Sequence, residues 1–284
     1  MKTFLFIALQ YVLPQHGLSR IAGWLANTRI RWIKTRFIEW FIKQYQVDMS
    51  IAANPDPNSY DCFNDFFTRP LAQGQRPIAE EATAITCPAD GCISQLGEIK
   101  HGQLFQAKGH EYRLVELVGG DADIAKHFHD GSFATIYLSP KDYHRVHMPL
   151  EGTLESMVHV PGDLFSVNDT TASHVPRLFA RNERVVALFN TAAGPMAVIM
   201  VGAMIVASIE TVWAGLVTPR KRQVQRTDYQ KTQPLTLNKG EEMGQFKLGS
   251  TAIVLFGKDA CQWSEQLQAG STVKMGEAIG QLKK

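Results

Sequence analysis

The chain has 284 residues, of which 45% are hydrophobic and 20% charged, and its formal net charge is +2. This composition predicts a folded, soluble protein with one large domain or two smaller ones. The four cysteines form neither a C-x-x-C pair nor a dense disulfide framework, which favours buried thiols in a reducing compartment. No phosphate-binding loop, dinucleotide G-x-G-x-x-G or G-x-S-x-G motif is present, which disfavours nucleotide binding through those motifs and a hydrolase with a nucleophile elbow.

The first 45 residues are unlike the remainder of the chain. They hold seven basic residues against the single acid Glu39, and three of the five tryptophans, Trp24, Trp32 and Trp40. Cations mixed with large aromatic side chains are typical of helices that lie in an anionic lipid interface. We therefore predict that residues 1–50 form an amphipathic helical, membrane-associating region. A helical cap packed on its own domain and a nucleic-acid-binding arm are the alternatives, and the many large apolar residues disfavour the arm.

Two apolar stretches resemble targeting or membrane segments. The run after Lys2 is too short to span a bilayer, ends at Pro14 and has no small-residue cleavage site, so a retained amphipathic helix is expected. The uncharged stretch 185–209 is long enough to span, but the turn residues 190–195 interrupt it. Two buried strands are the better interpretation.

The texture of the chain changes after the N-terminal region. Residues 60–71 predict a short aromatic helix that ends at Pro70. From residue 84, short apolar runs alternate with Gly, Pro, Asp and Asn, and these runs predict strands. G-E-x-φ-G-Q-φ, where φ is apolar, occurs at 240–246 and again at 276–282, as expected for glycine turns that lead into short strands. The predicted class is α+β: a β-rich sandwich or barrel-like catalytic domain, 51–284, behind the N-terminal helical cap.

Polar residues that could perform chemistry cluster at two places. His144 and His147 lie in SPKDYHRVHMP (139–149), directly after a predicted strand, and Asp90 lies on a turn just before another. The histidine pairs 127/129 and 144/147 could contribute to a zinc site. H-E-x-x-H is absent, however, and three or four convergent ligands are not guaranteed, so we predict no metal. Each of these residues has a plain structural alternative, such as a core histidine or an Asp-Gly turn.

Ser250 follows Gly249 at the start of the last long apolar run. A serine becomes a nucleophile when a histidine held by a carboxylate removes its proton, and Ser250, His147 and Asp90 could form such a relay. Attack of Ser250 on the unhindered Gly249 carbonyl would shift the chain from amide to ester. Elimination and hydrolysis would then leave a pyruvoyl group, an electron sink comparable to pyridoxal phosphate. Taken alone, Gly-Ser-Thr is far more often an ordinary strand start.

The sequence resembles the bacterial phosphatidylserine decarboxylase family over nearly its whole length. The blocks that carry the resemblance occur in the family's order: FNDFFTRPL (63–71), PADG (88–91), AKGHEY (107–112), LSPKDYHRVHMP (138–149), VPGDLFSVN (160–168), LFARNERV (178–185), SIETVWAG (208–215) and KGEEMGQFKLGST (239–251). Ala207 stands where members of the family often have glycine.

The resemblance implies a proenzyme that cleaves itself between Gly249 and Ser250 into a β-chain, 1–249, and an α-chain, 250–284. Asp90, His147 and Ser250 match the self-processing triad, Ser250 becomes the covalent pyruvoyl cofactor, and His144 matches the histidine of decarboxylation. The implied reaction turns phosphatidylserine into phosphatidylethanolamine and CO₂ through a Schiff base with that pyruvoyl group.

The resemblance also implies a location and partners. It predicts a peripheral enzyme on the cytoplasmic face of the bacterial inner membrane, a homodimer of cleaved units, an anionic membrane surface as partner and no nucleic acid. Three other interpretations are a pyruvoyl decarboxylase of a soluble amino acid, a non-catalytic lipid-binding protein and a zinc hydrolase.

Overall fold

Helices fill the first part of the chain, as the sequence predicts. The computed structural model describes residues 2–204, 208–218, 223–229, 234–247 and 250–283. Helix α1 (Lys2–Val12) ends before Pro14, whose missing N–H and bulky ring oppose continuation. Helices α2 (Gln15–Ala26) and α3 (Arg31–Tyr45) follow. Across the described residues, none of the helices has the length and apolar character needed to cross a bilayer.

An aromatic cluster joins α3 to the next helix, α4 (Phe63–Phe67). Ile38 and Phe41 of α3 are buried against Phe63 and its neighbours, and the Phe41 and Phe63 ring centroids lie 4.9 Å apart, edge to face. Edge-to-face contact is the geometry that aromatic pairs prefer. The helix predicted within 60–71 is therefore confirmed in a shorter form, and it anchors α3 to the body of the protein.

Strands dominate the chain from residue 84, again as predicted. In chain order the strands of the described part are β1 (Ala84–Thr86), β2 (Gly91–Glu98), β3 (Gln103–Ala107), β4 (His110–Arg113), β5 (Ser132–Leu138), β6 (Arg145–His147), β7 (Gly152–Val160), β8 (Arg184–Thr191), β9 (Gly194–Val201), β10 (Ser208–Thr211), β11 (Gly215–Leu216), β12 (Gln225–Asp228), β13 (Thr236–Leu237), β14 (Glu242–Lys247), β15 (Ser250–Phe256), β16 (Cys261–Trp263), β17 (Thr272–Val273) and β18 (Ala278–Leu282). Short helices between them are α5 (Leu114–Leu117), α6 (Ala122–His127), α7 (Asp169–Ala172) and α8 (Leu178–Arg181), and a 3₁₀ turn covers Pro57–Ser59.

Two antiparallel sheets enclose the main core. The large sheet has the order β12-β7-β8-β9-β15-β5-β2-β17, with β13 also paired to β7, and the second sheet has the order β11-β10-β14-β6. Val146, Met243 and Phe246 of the second sheet lie in one apolar cluster with Ala252 and Val254 of β15. The predicted α+β class and the sandwich-like core are confirmed. The large sheet is open, because its order within the described residues runs from one edge to another.

Strand β15 is buried on both faces. Its alternate residues Ile253 and Leu255 point into a second cluster on the other side of the large sheet, together with Phe133 and Phe165. Successive side chains of a strand alternate between faces, so an unbroken apolar run is what a strand covered on both sides requires.

The run 196–209 differs from the single strand that its sequence predicts. Strand β9 ends at Val201, and Ser208 begins β10 in the other sheet. At the exit, the Gly202 amide donates to the Glu183 carbonyl at 2.9 Å and the Asn182 side-chain amide donates to the Gly202 carbonyl at 2.9 Å. These bonds replace ladder bonds, so the chain leaves the sheet without unpaired backbone groups at Gly202. Ala207 lies outside the described residues.

The repeated G-E-x-φ-G-Q-φ pattern corresponds to β14 and β18, each preceded by a glycine turn. Gly240 and Gly276 have φ of +80° and +88°. A Cβ on Gly240 would lie 2.7 Å from Ile78 Cγ1, and one on Gly276 would lie 2.6 Å from the Pro77 carbonyl oxygen. Both turns therefore need glycine, for conformation and for close approach to the same short segment.

Candidate active site

Asp90 and Ser250 lie at one end of the large sheet. Asp90 precedes β2 and Ser250 begins β15, and both strands flank β5, since Tyr137 pairs with Cys92 on one side and with Thr251 on the other. Neighbouring strands lie about 4.8 Å apart, so Cys92 and Thr251 are separated by roughly 10 Å. The structure describes Ser250 through its backbone, and Gly249 lies outside the described residues.

The two histidines lie beside this end of the sheet. His147 ends β6, a short strand in a segment that the sequence predicts as a loop, and its amide donates to the Pro88 carbonyl at 2.8 Å. His144 precedes β6, and its carbonyl accepts from the Phe246 amide at 3.0 Å. Strand β14, which contains Phe246, is the element that leads toward Ser250. Both histidines therefore lie between the turn of Asp90 and the segment before Ser250.

Asp90 is a buried carboxylate held by three donors. Arg76 donates from Nε to Oδ1 at 2.8 Å and from a terminal nitrogen to Oδ2, and the Met275 amide donates to Oδ1 at 2.9 Å. The hydrogen bond to Asp90 raises the pKa of Arg76. A two-point guanidinium contact of this kind is strong and fixes geometry. The role of Arg76 could not be predicted from the sequence, because a lone arginine in a polar loop matches no motif.

His147 has a partner on each ring nitrogen. Nδ1 donates to the Gly240 carbonyl at 2.9 Å, and Nε2 accepts from the Tyr143 hydroxyl at 3.0 Å. Burial lowers the pKa of His147, so the ring is neutral at neutral pH and Nε2 is its basic nitrogen. Between the described groups of His147 and Asp90 there is no direct hydrogen bond. The triad of Asp90, His147 and Ser250 stays a prediction, and Tyr143 and Gly240 are the contacts that the sequence did not indicate.

His144 is fully buried, with one nitrogen bonded and one free. Nδ1 donates to the Asp142 carbonyl at 2.8 Å, and Nε2 has no hydrogen-bond partner among the described residues. The Phe67 ring lies against it, with centroids 3.9 Å apart. Burial, with the nearby Arg69 charge, lowers the pKa of His144 to about 3. The side chain is therefore a neutral imidazole that presents an unused lone pair.

Arg69 is the cation next to His144. Its guanidinium is buried, donates to the Lys141 carbonyl at 3.2 Å, and lies over the Phe66 ring at 5.4 Å from the centroid. No carboxylate among the described residues forms an ion pair with it. Burial lowers the pKa of Arg69, although the group stays charged at neutral pH. Arg69 thus disfavours a proton on His144.

Comparisons with known proteins identify the family. The model described as phosphatidylserine decarboxylase matches residues 63–281, and a second model, described as PSD, matches residues 5–46. The phosphatidylserine decarboxylase proenzyme of Ectopseudomonas mendocina is 64% identical over 282 residues, covering 99% of both chains. The corresponding proenzyme of Pseudomonas entomophila is 63% identical over 281 residues, 98% of both chains. The chain belongs to the phosphatidylserine decarboxylase family.

Membership of this family confirms the resemblance predicted from the blocks and disfavours the three alternatives. The model matching 5–46 spans α1, α2 and α3, so the N-terminal helices are also part of the similarity. The family match spans every candidate residue, from Asp90 to Ser250. Within the described residues, no group of three or more His, Cys, Asp or Glu side chains is arranged to hold a metal ion.

The buried neutral state of His144 predicts a specific loss of stability in acid. The folded pKa of His144 is about 3 and lies below the unfolded value of 6.5, so between these values the unfolded chain binds more protons than the folded chain. The free energy of unfolding therefore decreases as the pH is lowered. From pH 7.5 to pH 5 this one side chain removes about 2 kcal/mol from the free energy of unfolding.

Urea unfolding of Ser250→Ala and of Ser250→Ala/His144→Asn at both pH values measures this effect, because both chains lack the Ser250 hydroxyl and so remain comparable even if the parent chain undergoes the cleavage that the resemblance implies. We expect the Ser250→Ala chain, which keeps His144, to lose about 2 kcal/mol more than the double variant. Equal losses in the two chains would show that His144 is not buried in its neutral form.

Proposed function

We propose that this chain is a phosphatidylserine decarboxylase that cleaves itself between Gly249 and Ser250 and converts phosphatidylserine to phosphatidylethanolamine and CO₂. The observation that supports self-cleavage most directly is the change of sheet at this point. Lys247 ends β14 in the smaller sheet, and Ser250 begins β15 in the large one. A break before Ser250 falls outside both strands as the described residues define them. The relatives are named as proenzymes, that is, as precursors.

The segment after the proposed cleavage would stay attached without its peptide link. Strand β15 is paired along its length with β9 and β5, β17 pairs with β2, and β18 pairs with β1. The side chains of β15 from Thr251 to Phe256 are all buried. Cross-strand hydrogen bonds and buried apolar area both hold the two fragments together.

For self-processing, we assign the basic nitrogen to His147. Its Nδ1–H donates to the Gly240 carbonyl, so Nε2 is the nitrogen that accepts the proton of the Ser250 hydroxyl. For this step the hydrogen bond from the Tyr143 hydroxyl to Nε2 has to break. Asp90 contributes a negative charge near His147, and its contact with Arg76 fixes the turn on which it lies. Attack on the Gly249 carbonyl forms an ester and frees the Ser250 nitrogen as an amine, which takes up the proton. Loss of the Ser250 Cα proton to a base then expels the Gly249 carboxylate and leaves dehydroalanine at residue 250. The imine form of that residue adds water and releases ammonia, which leaves the pyruvoyl group.

His144 suits the proton transfers of decarboxylation. A pyruvoyl group at residue 250 supplies an electron sink for the carbanion left by CO₂. The free Nε2 of His144 lies in an apolar environment beside Phe67, where a neutral imidazole can accept a hydrogen bond from the substrate's amine N–H. A weakly basic imidazole gives up a proton readily, so the same nitrogen can relay a proton to the substrate's Cα after CO₂ has left. The unpartnered buried acceptor fits an N–H donor of a substrate bound at the pyruvoyl group.

The N-terminal region supports a peripheral site of action at the membrane that holds the substrate. Large side chains of α1, α2 and α3 are exposed to solvent, with exposed fractions of 79% for Phe4, 72% for Trp24 and 71% for Trp32. Exposed aromatic and basic residues on the same helices fit an anionic lipid interface. We further propose residues 1–50 as the membrane-associating region and 51–284 as the catalytic domain. The site of action is the cytoplasmic face of the inner membrane, and the assembly is a homodimer of cleaved units.

Self-processing predicts two fragments in the purified protein. Intact-mass spectrometry should find residues 1–249 and residues 250–284, the latter with a pyruvoyl terminus, while Ser250→Ala stays a single inactive chain because the nucleophile is missing.

The neighbouring hydroxyl provides a matched control. Thr251 is fully buried and its hydroxyl has no partner among the described residues, so Thr251→Val should be cleaved as the parent chain is. Cleavage of Ser250→Ala, or an intact parent chain, contradicts the proposal.

The two histidines should separate the two reactions. His144→Asn keeps a donor near the Asp142 carbonyl but has no basic nitrogen, so we expect normal cleavage and a loss of CO₂ release of at least roughly a hundredfold. His147→Asn should remain uncleaved, because no base is left for Ser250. The measurements are a denaturing gel and release of labelled CO₂. A cleaved His144→Asn protein with parental turnover would remove His144 from the reaction.

Membrane association should depend on the exposed tryptophans. Deleting residues 1–45 would also uncover the α4 aromatic cluster, so substitutions are the better test. Trp24→Ser/Trp32→Ser should reduce co-sedimentation with phosphatidylserine-containing vesicles at least roughly tenfold, since two interfacial rings are lost.

Phe105→Ser is the matched control, because Phe105 is an exposed aromatic residue outside the N-terminal region. If the double variant binds vesicles as well as the Phe105→Ser variant, the N-terminal helices are not the membrane-associating surface.

A further inference from the structure

Helix α1 carries one polar side chain that faces the protein, not the surroundings. Gln10 is only 3% exposed, whereas the neighbouring Leu9, Tyr11 and Val12 are exposed. Its Oε1 accepts from the Ser166 amide at 3.0 Å. A helix that serves only as a lipid anchor needs an apolar face and no buried amide. Gln10 therefore has a partner in the protein, and that partner is the loop of residues 162–168, which we call the α1-supported loop.

A second glutamine holds the same loop. Gln15, at the start of α2, accepts from the Leu164 amide at 2.6 Å through Oε1 and donates to the Gln10 carbonyl at 2.6 Å through Nε2. Two main-chain amides of the α1-supported loop are thus satisfied by side chains of the N-terminal helices. Buried amides that lose their acceptor are costly, so the loop depends on these contacts for its conformation.

Aromatic rings and one cation also join the helix to the loop. The Tyr11 and Phe165 rings meet edge to face at 4.9 Å, and the Arg181 guanidinium lies 5.4 Å from the first centroid and 4.7 Å from the second. Cations near aromatic faces are attracted by the ring quadrupole. Helix α1 is consequently fixed on the loop by hydrogen bonds and rings together.

The α1-supported loop connects to the strand that begins at Ser250. Asn182, which is fully buried, bonds to both the amide and the carbonyl of Phe165, at 3.0 and 2.8 Å, and donates to the Gly202 carbonyl at 2.9 Å. Gly202 follows Val201, which pairs with Thr251. The contacts therefore run without a break from Gln10 through the loop and Asn182 to the residue next to Ser250.

The other end of the loop borders the same region. Asn168 caps α7, whose first residue is Asp169. Burial, followed by the charges of Asp169 and Asp142, raises the pKa of Tyr137 to about 12. Tyr137 is the β5 residue that separates Cys92 from Thr251. The charge of Asp169 therefore acts at the end of the large sheet where Asp90 and Ser250 lie.

We propose that Gln10 and Gln15 are positioning residues for decarboxylation, an inference that rests on the proposed function. They hold the α1-supported loop against Asn182 and so set the wall of the active site beside Ser250. In this arrangement α1 is part of the site's construction and not only a membrane anchor. A loop displaced by about 1 Å is enough to lower turnover strongly, because reaction depends on close orientation.

The test uses a substrate that needs no membrane. The turnover of dihexanoyl phosphatidylserine, kept below its critical micelle concentration, is measured for the parent protein, Gln10→Met and Gln10→Glu. The matched control is Gln103→Met, which alters an exposed glutamine. Gln10→Met should process normally and bind vesicles normally, but its kcat should fall roughly ten- to a hundredfold while KM changes little. Gln10→Glu keeps an acceptor for the Ser166 amide and should recover most of the turnover.

Hydrogen exchange provides the structural readout. In Gln10→Met the amide of Ser166 should exchange faster, because it loses its acceptor, while the amides of β15 keep their protection.

Parental kcat in Gln10→Met, equal losses in Gln10→Met and Gln10→Glu, or a loss confined to vesicle binding would each overturn the inference. A parent chain that is cleaved but releases no CO₂ would overturn the proposed function as well, which separates the two failures.

Discussion

The pairing of β15 between β9 and β5 is the constraint on which the rest of the structure depends. It places Ser250 at the end of the large sheet, beside the turn that carries Asp90. It also makes the position after Lys247 the place where the chain passes from β14 to a different sheet. The self-cleavage that we propose requires such a point, where the strands on both sides of the break are held by other partners.

Desolvation gives the two histidines their chemical character. Both rings are buried, and burial lowers the pKa of each. Their backbone partners then decide which nitrogen is basic: the Asp142 carbonyl for His144 and the Gly240 carbonyl for His147. The rings differ at Nε2, which accepts a hydrogen bond from Tyr143 in His147 and from no described residue in His144. The fold thus holds two neutral imidazoles, one with its basic nitrogen hydrogen-bonded and one with that nitrogen free. This difference fits the proposed roles, a single cleavage of the backbone for His147 and repeated turnover of substrate for His144.

The sequence predicted the elements that have a strong local pattern. The apolar runs at β5, β7 and β15 and the aromatic helix α4 were predictable, because burial on one or both faces dictates their residue types. Strand β6 was not, since Arg145–His147 carries no alternation and its strand character comes from pairing with β14. The same holds for the partners of the site. Arg76 reaches Asp90 and Gly240 reaches His147 through contacts distant in the chain, and no local pattern records them.

The N-terminal helices are attached to the body of the protein at two separate places. Helix α3 is held by the aromatic cluster with Phe63 and Phe67, and its Lys34 also donates hydrogen bonds to the Asn58 and Tyr60 carbonyls. Helices α1 and α2 are held through Gln10 and Gln15, whose side-chain oxygens accept from main-chain amides of the loop 162–168, and such bonds weaken steeply with angle and distance. The directional attachment of α1 fixes the loop as well as the helix, and this is why we regard the first helix as part of the machinery that shapes the site.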